Sequence, residues 1–303
     1  PRSWRDASHR ATTGYRPAMD AAPGNLPDVL RLDELGPERS GVDNHGDPSV
    51  HDVVFGGQLL AQMIMAAARH SPGKTVRSVH AIFARAGRIS ADTELDVDTL
   101  HAGRSFASHT VTVRQGDRRC CRALVLSHER EDDLIAHQPE RPDLTPPADD
   151  DPAIVTGGLA FPGAEYRVHG DVDLADSSLP ARPAHLDLWY RSRHTPDDPT
   201  VAQAVLAWVT DGFLIGTAML PHEGVGQDRA HRDLSTGVVD HTLTFHRPFS
   251  LTDWALIRHE SPVAGGGRSH GRALVFDRSG DLVASVVQDA MIRPMPTAPG
   301  NQL

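Results

Sequence analysis

The sequence predicts an α+β protein built from two copies of one unit, each a long apolar helix followed by a meander of antiparallel strands. Three observations predict it. Apolar residues fall at helical spacing once in each half of the 303-residue chain. Each helical stretch leads into alternating apolar and polar residues broken by glycine-containing turns. The landmarks of the two halves also repeat in register.

Leu59, Leu60, Met63, Ile64, Ala67 and Ala68 carry the first helix, opened by Gly56, Gly57 and Gln58. Val205, Leu206, Val209, Phe213, Gly216 and Leu220 carry the second, read as one continuous helix. The strand after each helix holds a Phe-x-Arg step, Phe83 and Arg85 in the first half and Phe245 and Arg247 in the second. A Gly-Arg-Ser turn follows, at Gly103, Arg104, Ser105 and again at Gly267, Arg268, Ser269. The step from Arg85 to Arg104 is 19 residues and from Arg247 to Arg268 is 21. Both Arg104 to Gly116 and Arg268 to Gly280 span 12, where Gly116-Asp117 and Gly280-Asp281 are hairpin signals. Agreement across two turns marks an internal duplication. Placed side by side, two such units form one continuous sheet around two central helices.

The expected division is a flexible leader over residues 1–28, an N-terminal unit over 29–128, an acidic Pro-rich linker over 129–160 and a C-terminal unit over 161–303. The linker rests on Glu129, Glu131, Asp132, Asp133, Glu140, Asp143 and the run Asp149 to Asp151, with five prolines among them.

Hydrophobic residues make up 39% and aromatics only 5%, so the core leans on Val, Leu, Ile and Ala. A formal net charge of −10 argues against a nucleic-acid partner. Cys120 and Cys121 are adjacent on a strand and point to opposite faces, so no disulfide is expected, which suits a reducing compartment. No apolar run approaches the roughly 20 residues that span a bilayer. Pro1 to Arg16 lacks an apolar signal core, so the expected location is the cytoplasm.

Two polar residues stand out. Asp211, in WVTDGFL, sits in an apolar helical stretch with no cation at i±4, where a carboxylate is costly unless paired or hydrogen-bonded. It could orient or activate a water. Gln288 shares a strand face with Leu282, Ala284, Val286, Ala290 and Ile292, so its amide must find partners if buried. Gln58 and Gln62 share a helix face and either line a polar pocket or cap it. Arg85, Arg104, Arg247, Arg268 and Arg293 lie near strand ends and turns, where guanidinium forks suit phosphate. No HExxH or Cys/His spacing exists, so no metal or cofactor is expected, and His80, His241 and His246 read as structural.

VFGGQLLAQMIMAAARH (54 to 70) and VHAIFARAG (79 to 87) resemble the first half of bacterial and peroxisomal acyl-CoA thioesterase II. DHTLTFHRPF (240 to 249), HESP (259 to 262) and LVASVVQDAMIRP (282 to 294) resemble its second half. The resemblance implies a double-hotdog fold and hydrolysis of acyl-CoA to free acid and CoA. It implies that Asp211 and Gln288 hold the attacking water. Gly56, Gly57 and Gln58 would bring a helix start to the thioester, and Arg268 would meet a phosphate.

The family's third site residue is a Thr or Ser, and here that position is Val238. Strand alternation puts Thr236, Asp240 and Thr242 on the face of Val238, so Thr236 or Thr242 could supply a hydroxyl. The change leaves two other readings open. One is a non-hydrolytic enzyme on an acyl thioester or related metabolite in specialised biosynthesis, with Asp211 or Asp240 as base. The other is a non-catalytic acyl-binding homologue. Hotdog sheets carry exposed edges that pair, so a homo-oligomer is expected.

Overall fold

The computed structural model describes residues 26–49, 51–156, 164–170 and 172–295. Most of the expected leader lies outside them; its last residues begin helix α1, Leu26–Leu30.

The N-terminal half continues with β1 (Asp33–Gly36), β2 (Arg39–Val42), helix α2 (Gly56–Arg69), β3 (Thr75–Phe83), β4 (Thr93–Ala102), β5 (Phe106–Gln115) and β6 (Arg118–His128). The C-terminal half holds β7 (Val155–Thr156), β8 (Ala164–Val168), β9 (His185–Ser192), helices α3 (Pro199–Thr210) and α4 (Leu214–Met219), β10 (Leu234–Phe245), β11 (Ala255–Gly265), β12 (Arg268–Phe276) and β13 (Leu282–Pro294). Among the described residues the strands form one 13-stranded sheet in the order β1-β2-β4-β5-β6-β3-β10-β13-β12-β11-β9-β8-β7.

The duplication is visible in that order. The run β4-β5-β6-β3 mirrors β11-β12-β13-β10, and the two halves meet where β3 pairs antiparallel with β10. Gly116 and Gly280 turn their hairpins at φ 58° and 97°, a left-handed conformation that favours glycine. Equivalent strand pairs hold equivalent registers: Val79 faces Val125 across β3 and β6, and His241 faces Gln288 across β10 and β13.

Helix α2 buries Leu60, Met63, Ile64 and Ala67 against β3 to β6, the period-3.6 stripe that the sequence carries. At its start Gly57 lies so close to α3 that a Cβ there would fall 2.3 Å from the Trp208 carbonyl oxygen, so only glycine lets the helices meet. Asp198 caps α3 by accepting from the N–H groups of Thr200 and Val201, with Pro199 in the first turn.

The second long helix expected from the sequence is broken. α3 ends at Thr210, the chain turns through Asp211, Gly212 and Phe213, and α4 resumes at Leu214. Gly212 is a poor helix former, and the Gly212 N–H bonds back to Val209 in a tightened last turn. Pro199–Met219 also reaches the length and apolarity of a membrane span, contrary to the sequence expectation, but 83% of that window is buried inside the fold. It is core.

A second correction concerns β10. The register against β13 slips between Val238 and Asp240, leaving Val239 as an extra residue. Strict alternation therefore fails: Thr236, Val238 and His241 pair with Ile292, Ala290 and Gln288 on one face, while Asp240 and Thr242 fall on the other.

The acidic segment lacks regular structure until β7, yet it is docked. Gln138 donates to the Gly280 carbonyl and accepts from the Leu282 N–H. Arg141 lies over the Trp189 ring, and Leu144 and Ile154 pack on a cluster of Trp189, Trp254, Leu256 and Phe276. Arg191 anchors the far end, paired with Asp149 and Glu165 and lying 4.0 Å over Trp254. Cys120 and Cys121 are buried free thiols.

Candidate active site

Asp211 is placed by the break between α3 and α4. As the residue after Thr210 it can turn its carboxylate out of the helix and toward the start of α2. There it accepts the Gly57 N–H, one of the donors a helix N-terminus leaves unpaired. Gly56 makes room: a Cβ on it would lie 2.7 Å from Asp211 Oδ2. The side chain is 3% exposed. Burial pushes its pKa up to about 7, opposed by the Gly57 hydrogen bond. Asp211 Oδ1 is buried and has no hydrogen-bond partner among the described residues.

Across from it, β10 and β13 present His241 and Gln288, neighbours in register and both buried. His241 Nδ1 lies 3.0 Å from Gln288 Oε1 and 3.8 Å from Asp211 Oδ1. The other ring nitrogen is 3.4 Å from the Thr210 hydroxyl, whose single proton has two acceptors in reach, that nitrogen and the Ala207 carbonyl at 3.2 Å. Burial lowers the His241 pKa to about 4, so the ring is neutral at neutral pH. Gln288 Nε2 is buried without a partner among the described residues. Two orphaned atoms of opposite character, an acceptor on Asp211 and a donor on Gln288, thus flank one imidazole. Buried polar atoms find partners, and a small group that both donates and accepts, such as a water, satisfies the pair.

Aromatic residues stand close to Gly56 and Asp211 in the chain. Phe55 lies against Trp208, and Phe213 against Tyr166 and His259. Cys121 is near enough that, after burial itself, the Asp211 carboxylate is the next cause raising its thiol pKa.

The other expected site residues divide. Gly56 and Gly57 are at the site, but they admit the Asp211 carboxylate and the α3 backbone rather than leaving the helix start open. Val238 and Thr236 share the face of Gln288 by register. Thr242 and Asp240 do not: with the bulge they turn outward, where His80 Nδ1 meets the Thr242 hydroxyl at 2.5 Å and Nε2 lies 3.6 Å from Asp240. Gln58 points away as well. It accepts the His45 N–H and donates to the Asp43 carbonyl, and Gln62 donates to the carbonyls of Val29 and Asp43, so both amides tie down the segment before α2. Arg268 stands exposed at the β11–β12 turn, about 10 Å along β12 from the residue beside Gln288. A surface cleft of about 680 Å³ lined by Arg39, Arg114, Arg119 and Arg122 touches none of the site residues, and Arg39 and Arg114 in it are paired with Asp96.

Sequence reasoning missed His241 and Thr210. His241 stands in the DH step of the quoted motif, and the alternation His241, Leu243, Phe245 of buried residues would have turned it inward. Thr210 carried no signal beyond its place beside Asp211.

Known proteins match this chain along most of its length. A family model for the acyl-CoA thioesterase N-terminal domain matches residues 45–128, and one for the C-terminal domain matches 138–292. Acyl-CoA thioesterase 2 of Haemophilus influenzae is 30% identical over 254 residues, covering 79% of this chain and 87% of that protein. The crystal structure of acyl-CoA thioesterase II TesB2 from Mycobacterium marinum superposes with a TM-score of 0.74 at 27% identity, covering 90% of this chain and 99% of the other. A hot dog fold protein from Alicyclobacillus acidocaldarius matches at a TM-score of 0.71 and 19% identity, over 90% and 98% of the two chains, a likeness of fold alone.

Proposed function

The chain belongs to the acyl-CoA thioesterase II family and is a thioester hydrolase, and we propose that it splits acyl-CoA with a water held between Asp211 and Gln288. The observation that carries this reading is that two buried polar atoms, Asp211 Oδ1 and Gln288 Nε2, lack partners among the described residues while Asp211 Oδ1 and Gln288 Oε1 both lie close to His241 Nδ1. A water that donates to the first and accepts from the second satisfies both and keeps a lone pair for attack.

In this mechanism the ionised carboxylate takes a proton from that water as its oxygen bonds to the thioester carbonyl carbon. Collapse of the tetrahedral species breaks the C–S bond, and the departing CoA thiolate takes the proton from Asp211. A carboxyl with a pKa near 7 is suited to both transfers, since it is neither too weak a base nor too weak an acid at neutral pH. The apolar surroundings strengthen each electrostatic contact.

We read the architecture as a double hotdog, with residues 29–128 and 161–303 as its two units. The mirrored strand order about the β3–β10 seam supports that reading.

A second reading is an acyl-binding protein with little turnover. The observation that favours it is Val238, which brings a methyl surface to the inner face of β10 where a hydroxyl would orient water. Single-turnover assays over a panel of acyl-CoA esters separate the two. Hydrolysis by the wild type with a loss of about 10²–10⁴-fold in Asp211→Asn supports the mechanism. CoA release that survives the Asn change removes Asp211 from it, and tight binding without release favours the second reading.

A further inference from the structure

We propose that His241 is a positioning residue that fixes the Gln288 carboxamide so that its N–H groups face the reacting water. The inference rests on the hydrolytic reading above but adds a residue that reading does not use.

Gln288 has two ends, and only one is useful to a water that Asp211 is to deprotonate. The amide must present a donor, because Asp211 Oδ1 already presents an acceptor. Nothing in Gln288 itself chooses between its ends; a carboxamide turns over at little cost when its neighbours allow. His241 makes the choice. Its Nδ1 lies 3.0 Å from Oε1, and a carbonyl oxygen only accepts, so Nδ1 carries the proton and donates. That bond holds the oxygen against the ring and leaves Nε2 as the free end, the atom found without a partner. In the reversed amide the Nε2–H groups would face Nδ1, which would then have to be the accepting nitrogen.

Asp211 reinforces the same tautomer. Its Oδ1 is 3.8 Å from Nδ1, so the imidazole turns its N–H edge toward the negative charge. Burial keeps the ring neutral, with no competing donor toward the amide. The strand register brings the pair together, since His241 and Gln288 face each other across β10 and β13. The bulge after Val238 sets this phase: were Val239 a regular strand residue, Asp240 and not His241 would lie on the face of Val238.

The test has two arms, and both use the full-length protein. The first is a double-mutant cycle on acyl-CoA hydrolysis with His241→Ala, His241→Asn and Gln288→Ala. His241→Ala is expected to lower kcat by about 10²-fold with KM within about 3-fold. The same change in the Gln288→Ala background is expected to cost less than about 3-fold. Asn, which keeps an N–H near the place of Nδ1–H, restores kcat to within about 10-fold of wild type. Equal losses in both backgrounds overturn the proposal, because a merely structural histidine is indifferent to residue 288. The second arm reads the ring without turnover, by long-range ¹H–¹⁵N NMR of the imidazole at pH 7.5, assigned against His241→Asn. A neutral Nδ1–H tautomer is expected; an Nε2–H tautomer overturns the proposal even in a protein that hydrolyses nothing. Should Asp211→Asn retain full activity while the cycle still couples, the role of Asp211 fails and that of His241 stands.

Discussion

Gly56 and Asp211 share a space that admits no further atom: a Cβ on the glycine would fall 2.7 Å from the carboxylate's Oδ2. The glycine at the start of α2 is therefore a condition for the carboxylate of the other half to dock. Gly56→Ala is expected to push Asp211 aside and lower kcat at least about 10-fold, at a stability cost of about 1–3 kcal/mol. Gly57→Ala meets backbone, the Trp208 carbonyl, which cannot swing away, so it is expected to destabilise more. Denaturant melts beside steady-state kinetics check both, and equal stability for the two variants would contradict the packing argument.

Asp211 must be ionised to accept a proton, and burial raises its pKa to about 7. The rate constant for hydrolysis is therefore expected to rise with pH through about 7 and level off above it. His241 stays neutral over that range and adds no step of its own. A kcat/KM profile between pH 5 and 9 measures this, and a profile flat across pH 7 would remove the carboxylate as the base.

The same pKa acts on stability in the opposite sense. A carboxyl raised from 3.8 to about 7 on folding favours the native state fully at low pH, and the benefit is lost as pH climbs through 7. Asp211→Asn is therefore expected to gain stability relative to wild type between pH 4 and 7, by on the order of 2–4 kcal/mol at the plateau. His241 works the other way: lowered from 6.5 to about 4, it favours the native state above 6.5 and loses that contribution as pH falls toward 4. Melting curves of the two proteins from pH 4 to 9 supply the comparison.

Val238 lies on the same strand face as Gln288, so a hydroxyl placed there would point to the inner side of the sheet. Val238→Thr is nearly isosteric and is expected to raise kcat about 10-fold or more, part of the 10²–10³-fold that one oriented donor contributes. Val238→Ala serves as the control for size. A Thr variant no faster than the Ala variant would mean that the site needs no third polar group.

Periodicity and spacing revealed the duplication, the two hairpin meanders and the two polar residues at the centre, because each rests on local pattern. They failed where tertiary structure overrode the pattern. The bulge at Val239 is invisible to alternation, and it sent Thr242 and Asp240 to the outer face while turning His241 inward. The break after Thr210 was hidden by an unbroken apolar stripe from Val205 to Leu220. Gln58 looked like a ligand-facing amide, yet its partners are backbone groups of Asp43 and His45, a segment with no periodic signal. The linker read as a loose tether because composition reports charge and proline, not the Trp189 and Trp254 surfaces that wait for it.

The registers also tell what the duplication discarded. Phe83 and Phe245 occupy matching places, which makes Val79 the counterpart of His241 and Val125 the counterpart of Gln288. One half has valines where the other has an imidazole and an amide. On the proposed mechanism the N-terminal half lends its helix start to the Asp211 carboxylate of the C-terminal half, so active-site titration is expected to count one turnover centre per chain and neither half alone to contain it.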